Sequence, residues 1–396
     1  MISVSEATAA ILNHLYHPQT HQLKIENAVG HVLAEVITAD RDFPPFDRVT
    51  MDGIAINFES WQEGKRILPI EKMAAAGTPQ SNLGNKANAI EVMTGAILPA
   101  GTDTVIRYED LIIKDAVAQI QQVEIMKGQS IHRKGQDAKQ GEVLLEPGLK
   151  LSAAEIALLA SVGKSEVKVY TFPKTAIIGS GDELVAVNET PFPHQIRRSN
   201  TYAIESAMQR IGWGAKQFHL ADDKEVLRHS LEKLLAEHDV LVLSGGVSKG
   251  KFDFIPSVLE QLGVKKVFHE VSQRPGKPFW FGVKNEKRIF ALPGNPVSTF
   301  MCFHRYILPW VSKSLGLDAQ PEFAILAKDF SFNPRLTYFL QVSVKNETGK
   351  LMAYPDPGGG SGDFANLKKI DGFLELPLEK SEFKAGEVFP FIPFRL

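Results

Sequence analysis

Cysteine is almost absent from this sequence: among 396 residues only Cys302 carries a thiol. A single thiol excludes an intrachain disulfide and a cysteine zinc site, and it points to a reducing, cytoplasmic setting. Surplus charge is lacking too. The 44 Lys and Arg residues nearly balance the 46 Asp and Glu residues, for a net charge of −2. That excludes the broad positive field that non-specific nucleic-acid binding needs, so any anion site must be local. The first residues, MISVSEATAAILNHLY, have no basic start, and a secretion signal is not expected. The notable uncharged run, 289–304, is interrupted by Pro293 and Pro296 and does not read as a membrane span. No P-loop is present, nor any repeat or low-complexity tract. His14, His17 and His21 come nearest to a metal-ligand spacing. Pro18 interrupts them and no thiol or carboxylate completes the set, so they read as surface histidines.

What is present is a globular composition, 44% hydrophobic and 23% charged, long enough for two to three domains at roughly 150 residues each. Ser3-x-x-Glu6 has capping-box form and predicts a short amphipathic helix ending by Pro18; Ser152-x-x-Glu155 predicts another, stopped near Gly163. Between them, over 43–140, short β-like runs alternate with turn residues and no helical period emerges, which predicts an inserted β-rich domain. From Lys174 onward strand, loop and helix repeat. TAIIG and DVLVL read as buried strands, Ile204, Met208 and Ile211 as one helical face, and Val226, Leu227, Leu231, Leu234 and Leu235 as another. This alternation predicts a mainly parallel sheet covered by helices. A last helix is expected to open at Asn295-Pro296 and run towards Gly316. Beyond it, FAILA, LTYFLQVSV, KLMAY, GFLEL and VFPFI predict a closing all-β domain. The expected class is therefore multidomain α/β.

Three apolar strands each run into a loop of small residues: Gly179-Ser180-Gly181-Asp182-Glu183, Ser244-Gly245-Gly246-Val247-Ser248 and Pro293-Gly294-Asn295-Pro296-Val297-Ser298. In an open parallel sheet such loops gather at the carboxyl ends of the strands, where ligands bind. Close backbone approach and exposed amides suit phosphate. Arg274-Pro275-Gly276-Lys277 adds two cations on a stiff turn. Asp182, Glu183, Asp222 and Asp253 supply carboxylates of the kind that share a Mg²⁺ with a phosphate.

Seven ordered motifs then carry a resemblance over nearly the whole chain. They are DFPPFDRVTMDGIA (42–55), MTGAILPAG (93–101), GQSIHRKGQD (128–137), SGDEL (180–184), LSGGVSKGKFDF (243–254), RPGKPFWFG (274–282) and LPGNPVS (292–298). Together they resemble the molybdopterin molybdenumtransferases, relatives of the gephyrin E domain. SGDEL and SGGVS are shared with molybdopterin adenylyltransferases and competence-damage-type proteins; MDG, MTGA and the terminal β domain discriminate. The resemblance implies insertion of molybdate into adenylylated molybdopterin with release of AMP, dependence on Mg²⁺, and a homodimer, with molybdopterin adenylyltransferase and acceptor molybdoenzymes as partners. It implies four domains, which the residue pattern places at 1–42 with 141–168 (helical linker), 43–140 (β-rich insert), 169–316 (molybdopterin-binding α/β) and 317–396 (β-barrel).

Site residues carried over by motif are Asp52, Thr94 and Asp137, approaching the partner subunit's α/β domain. Glu183, Asp222 and Asp253 are implied for nucleotide and Mg²⁺, with Gly181, Asp182, Gly245, Gly246, Gly294 and Pro296 around the ligand. Ser248, Arg274, Lys277, Asn295, Ser298 and Ser361 are implied for pterin phosphate or molybdate. The chain departs from the family pattern at Val49-Thr50, Ile54, Gln136 and His194. It also carries Arg198 in place of an acid, and Leu340 at the position matched to a barrel arginine, with Arg335 five residues earlier. Two other classes compete with an enzyme of this family. A non-catalytic scaffold is disfavoured by Asp52, Asp253 and Lys277; a different nucleotide enzyme built on the same α/β domain is disfavoured by MDG and MTGA.

Overall fold

The computed structural model of the chain describes residues 1–121, 124–247, 253–318 and 320–395. These form two compact units. One holds 1–34, 147–153 and 166–396, the other 35–146 and 154–165. Among the described residues no helix is long and apolar enough to cross a membrane.

In the first unit, a six-stranded sheet runs in the order Ala215–Leu220, Thr175–Ser180, Val240–Ser244, Lys287–Leu292, Trp280–Lys284, Lys265–His269. Its first four strands are parallel and the remaining two pairings antiparallel. Thr175–Ser180 and Val240–Ser244 are buried at every position, as expected of strands covered on both faces. Alternate residues serve opposite cores. Ile177 and Val242 pack with Ile204 and Met208, while Ile178 and Leu243 pack with Leu227 and Leu231. The helix Lys224–Glu237 is capped by the Asp223 side chain, which accepts from the Glu225 and Val226 amides. Val226, expected on the apolar face, is instead 48% exposed, because the buried stripe follows Leu227, Leu231 and Leu234.

The capping box at Ser3 and Glu6 forms, but its helix ends at Leu12, well before Pro18. The helix opening at Pro296 runs to Ser314 with a π-helical turn at Phe303–Ile307. Pro309 follows that turn, and a proline has no amide to continue an α-helical ladder. Burial pushes the Cys302 thiol in this helix up to about 12, which makes it an inert packing group.

Five strands close a barrel: Thr337–Glu347, Lys350–Pro355, Glu322–Leu326, Val388–Pro393 and Gly372–Leu376, the last pairing back to the first. Two features fasten it to the α/β layer. Gln273–Arg274 pairs with Thr337 and Tyr338, and the half-buried Arg305 guanidinium donates to Glu375 at 2.6 Å.

The second unit is built on a sheet in the order Thr104–Arg107, Gly53–Ile56, Ala89–Val92, Ile67–Ala74, Val117–Ile120, Leu111–Lys114. The glycine of MDG has a direct cause. A Cβ at Gly53 would stand 1.9 Å from the Ile106 carbonyl oxygen. A short helix, Phe58–Gln62, capped by Asn57, interrupts the β pattern; one and a half turns are too few to leave a period in the sequence.

Candidate functional site

The sheet order reverses direction at the strand Thr175–Ser180. The chain first crosses to Ala215–Leu220 on one side, then to Val240–Ser244 on the other. Such a switch point leaves a crevice at the strand ends, and here a cleft of about 450 Å³ opens. All three small-residue loops border it through Gly181, Gly245, Gly246 and Gly294, with Asn295 and Pro296. Gly245 has φ +101°, and a Cβ there would meet the Ser180 carbonyl oxygen at 2.6 Å. The second loop therefore lies against the first, and its amide donates to the Leu292 carbonyl at 3.1 Å. Asn200 ties the edge together, donating to Ser244 Oγ at 2.9 Å and to the Gly294 carbonyl at 2.7 Å.

Glu183, Asp222 and Asp253 all line this cleft. Asp222 Oδ1 accepts from the Ser180 hydroxyl at 2.7 Å. Asp182 does not line it; its carboxylate accepts the Asp222 amide at 3.0 Å and so positions Asp222. Ser248 lies outside the described residues. Arg197, Arg198 and Asn200 line the cleft as well but were not among the candidate residues. The visible signal was Arg198, which stands where the resemblance calls for an acid.

A second cleft, of about 300 Å³, shares Pro278, Pro293 and Asn295 with the first. Arg274, Lys277, Ser298 and Ser361 border it. Asn295 donates to Ser361 Oγ at 3.0 Å, and the Val297 amide donates to the Ser361 carbonyl at 3.1 Å, which joins the barrel loop to the third strand-end loop. Two cations and two hydroxyls around a small hollow suit a tetrahedral oxyanion. Gln273 and Gln341 form its polar floor. Gln273 Oε1 accepts from the Tyr306 hydroxyl, and Gln341 Nε2 donates to the Pro357 carbonyl at 2.9 Å.

The barrel position matched to an arginine needs correction. Leu340 is fully buried in the barrel core with Val342, Leu374 and Phe391. Its neighbours Phe339 and Gln341 border the cleft instead, because successive strand residues point to opposite faces. An arginine at 340 would enter an apolar core, not an anion pocket. Arg335 is exposed and is not among the residues that border the cleft.

Asp52, Thr94 and Asp137 all lie in the second unit, around the segment 48–52. Asp52 Oδ1 accepts from the Thr94 amide at 2.6 Å and from its hydroxyl at 2.7 Å. These two bonds hold the carboxyl below the ordinary aspartate range. Asp137 Oδ1 lies 2.7 Å from His132 Nε2, and Arg48 Nη2 lies 3.1 Å from His132 Nδ1. A guanidinium can only donate, so Nδ1 accepts and Nε2 carries the proton given to Asp137.

Comparison with known proteins covers the chain from end to end. Residues 2–163 match the MoeA N-terminal region (domain I and II), 176–313 the probable molybdopterin binding domain, and 324–394 the MoeA C-terminal region (domain IV). The chain is 43% identical over 396 residues to a molybdopterin molybdenumtransferase of Synechocystis sp., covering 99% of each. It is 30% identical over 401 residues to that of Staphylococcus epidermidis, covering 99% of this chain and 95% of the relative. Two solved structures of the Pyrococcus horikoshii molybdopterin biosynthesis moeA protein align over 100% of both chains, with TM-scores of 0.85 and 0.86 at 30% and 26% identity.

Proposed function

This chain belongs to the molybdopterin molybdenumtransferase family, transferases of molybdenum cofactor biosynthesis, and on that premise we propose that it inserts molybdate into adenylylated molybdopterin and releases AMP. The observation that carries this reading is the pair of adjoining clefts with a common wall at Pro293 and Asn295. One offers glycine-rich amides and carboxylates to a nucleotide phosphoanhydride. The other offers Arg274, Lys277, Ser298 and Ser361 to molybdate. Breaking the phosphoanhydride next to the bound oxyanion couples a favourable cleavage to the unfavourable placement of molybdate on the dithiolene. The chain's part is to hold two anions together and to balance charge at the departing AMP, which is proximity and electrostatic catalysis. No protein nucleophile takes part.

Hard oxygen donors in the first cleft fit Mg²⁺. Among the described residues no three His, Cys, Asp or Glu side chains gather into a ready-made metal site. The fit is therefore to an ion held by Asp222 and Asp253 together with a substrate phosphate, with Glu183 beside it. When bound there, Mg²⁺ would neutralise phosphate charge.

We also infer a homodimer of four-domain subunits, in the cytoplasm, in which Asp52, Thr94 and Asp137 of one subunit complete the site of the other. Support comes from the sequence division: these three residues belong to a part of the chain with no glycine-rich anion loop. The test is to incubate the protein with adenylylated molybdopterin, Mg²⁺ and molybdate and to assay AMP and active cofactor. Both are expected to appear together and only with molybdate. AMP release that ignores molybdate, or no release at all, would contradict the reading.

A further inference from the structure

One cation in the strand-end cleft has no side-chain partner among the described residues. Arg198 follows the short parallel pair of Leu184–Val185 with Ile196–Arg197, and its amide donates to the Val185 carbonyl at 3.0 Å. That bond fixes where its side chain leaves the backbone. The stem passes Gly179, with Cδ only 3.8 Å from where a Cβ on that glycine would stand, and both residues border the cleft. Nε is buried and makes no hydrogen bond. Among the described residues the guanidinium makes no ion pair either, although Glu183, Asp222 and Asp253 border the same cleft. Three other arginines of this unit differ. Arg197 Nε donates to the Glu189 carbonyl at 3.0 Å, Arg288 donates to the His14 carbonyl at 2.9 Å, and Arg305 is paired with Glu375.

A buried donor without an acceptor is destabilising, and native structures keep few of them without a reason. The described carboxylates do not supply the acceptor, and Arg198 borders a cleft in which a ligand can supply one. A guanidinium fork matches the paired oxygens of a phosphate better than any other side chain. A positive charge with no counter-ion among the described residues favours an anion at this point of the cleft.

We propose that Arg198 is a phosphate-recognising residue of this chain, gripping the phosphate oxygens of the nucleotide portion of the substrate and of AMP. This rests on the reading of the first cleft as a nucleotide site, and the test separates the two. Binding of AMP, adenosine and inorganic pyrophosphate to the full chain is measured by calorimetry for the wild type, Arg198→Gln and Arg198→Lys. Thermal unfolding of each variant is followed in parallel.

Loss of a charge-assisted hydrogen bond corresponds to about a 10- to 150-fold loss of affinity. That loss is expected for AMP and pyrophosphate in Arg198→Gln, with a smaller one in Arg198→Lys. Adenosine binding should not move, and the unfolding temperature should hold or rise, since Arg198→Gln removes a buried donor that pairs with no described protein group. Equal AMP and pyrophosphate affinity in wild type and Arg198→Gln would overturn the role of Arg198 while leaving the nucleotide cleft intact. Pyrophosphate binding that depends on Arg198, in a wild type that does not bind AMP, would overturn the nucleotide reading and keep the phosphate grip. Absence of all binding to the wild type would overturn both.

Discussion

In the β-rich insert, Asp52 accepts two short hydrogen bonds from Thr94, and Asp137 is held by His132. In the strand-end cleft of the other unit, the Glu183 carboxylate accepts no hydrogen bond among the described residues and Asp222 accepts one, from Ser180. Asp52 is fixed in position and held in its ionised form, while the exposed Asp137 is bonded once and only lightly held. Glu183 and Asp222 keep lone pairs open. The difference separates a carboxylate that two donors hold in place from carboxylates that leave most of their acceptor capacity open.

The largest effect is expected where the open carboxylates are altered. Glu183→Gln keeps shape and removes charge, and should lower molybdate-dependent AMP release on the order of 100-fold, with an unchanged unfolding temperature. A parallel loss of stability would mean that Glu183 is as engaged as Asp52, and the contrast would collapse.

Thr94→Val, nearly isosteric, removes one of the two donors to Asp52 and should reduce turnover about 10-fold. It also has a pH signature. The Thr94 bonds depress the folded pKa of Asp52, so their contribution is present at neutral pH and is lost only as pH falls through that depressed value. In Thr94→Val the loss should begin at higher pH. A carboxyl NMR titration of Asp52 measures this, and an unmoved midpoint would show that the hydroxyl does not hold the group.

The smallest effect is expected from His132→Ala, which frees an Asp137 that is 57% exposed. Exposed pairs contribute little, so a loss of about 2- to 5-fold in activity is expected. His132→Gln can still accept from Arg48 and donate to Asp137, and should restore most of the activity. A His132→Ala defect as large as that of Glu183→Gln would mean that His132 acts on the substrate itself.

The strand-end loops were legible in the sequence because their cause is local. Gly245 must accept a positive φ and the touch of the Ser180 carbonyl, and Asn295-Pro296 announces a helix start. The facing of the barrel strand was not legible. Phe339 and Leu340 are both almost fully buried, one against the α/β layer and the other inside the barrel. A strand covered on both faces loses the polar and apolar alternation that would fix its phase, and so Leu340 was matched to the wrong side. Arg198 stood out only as a departure. Its unsatisfied Nε depends on what surrounds it in space, not on its neighbours in sequence. The π-turn at Phe303–Ile307 likewise had Pro309 as its only advance sign.

The central claim is that the fixed carboxylates and the open ones act on one substrate from two copies of the chain. Co-expression of Asp52→Asn with Glu183→Gln, each expected to be strongly impaired alone, tests it directly. If the site is completed between subunits, mixed dimers carry one intact site of two. With random pairing, activity should then return to about one quarter of wild type. Activity of the co-expressed pair that stays at the sum of the two variants would contradict a shared site and confine each set of carboxylates to its own chain.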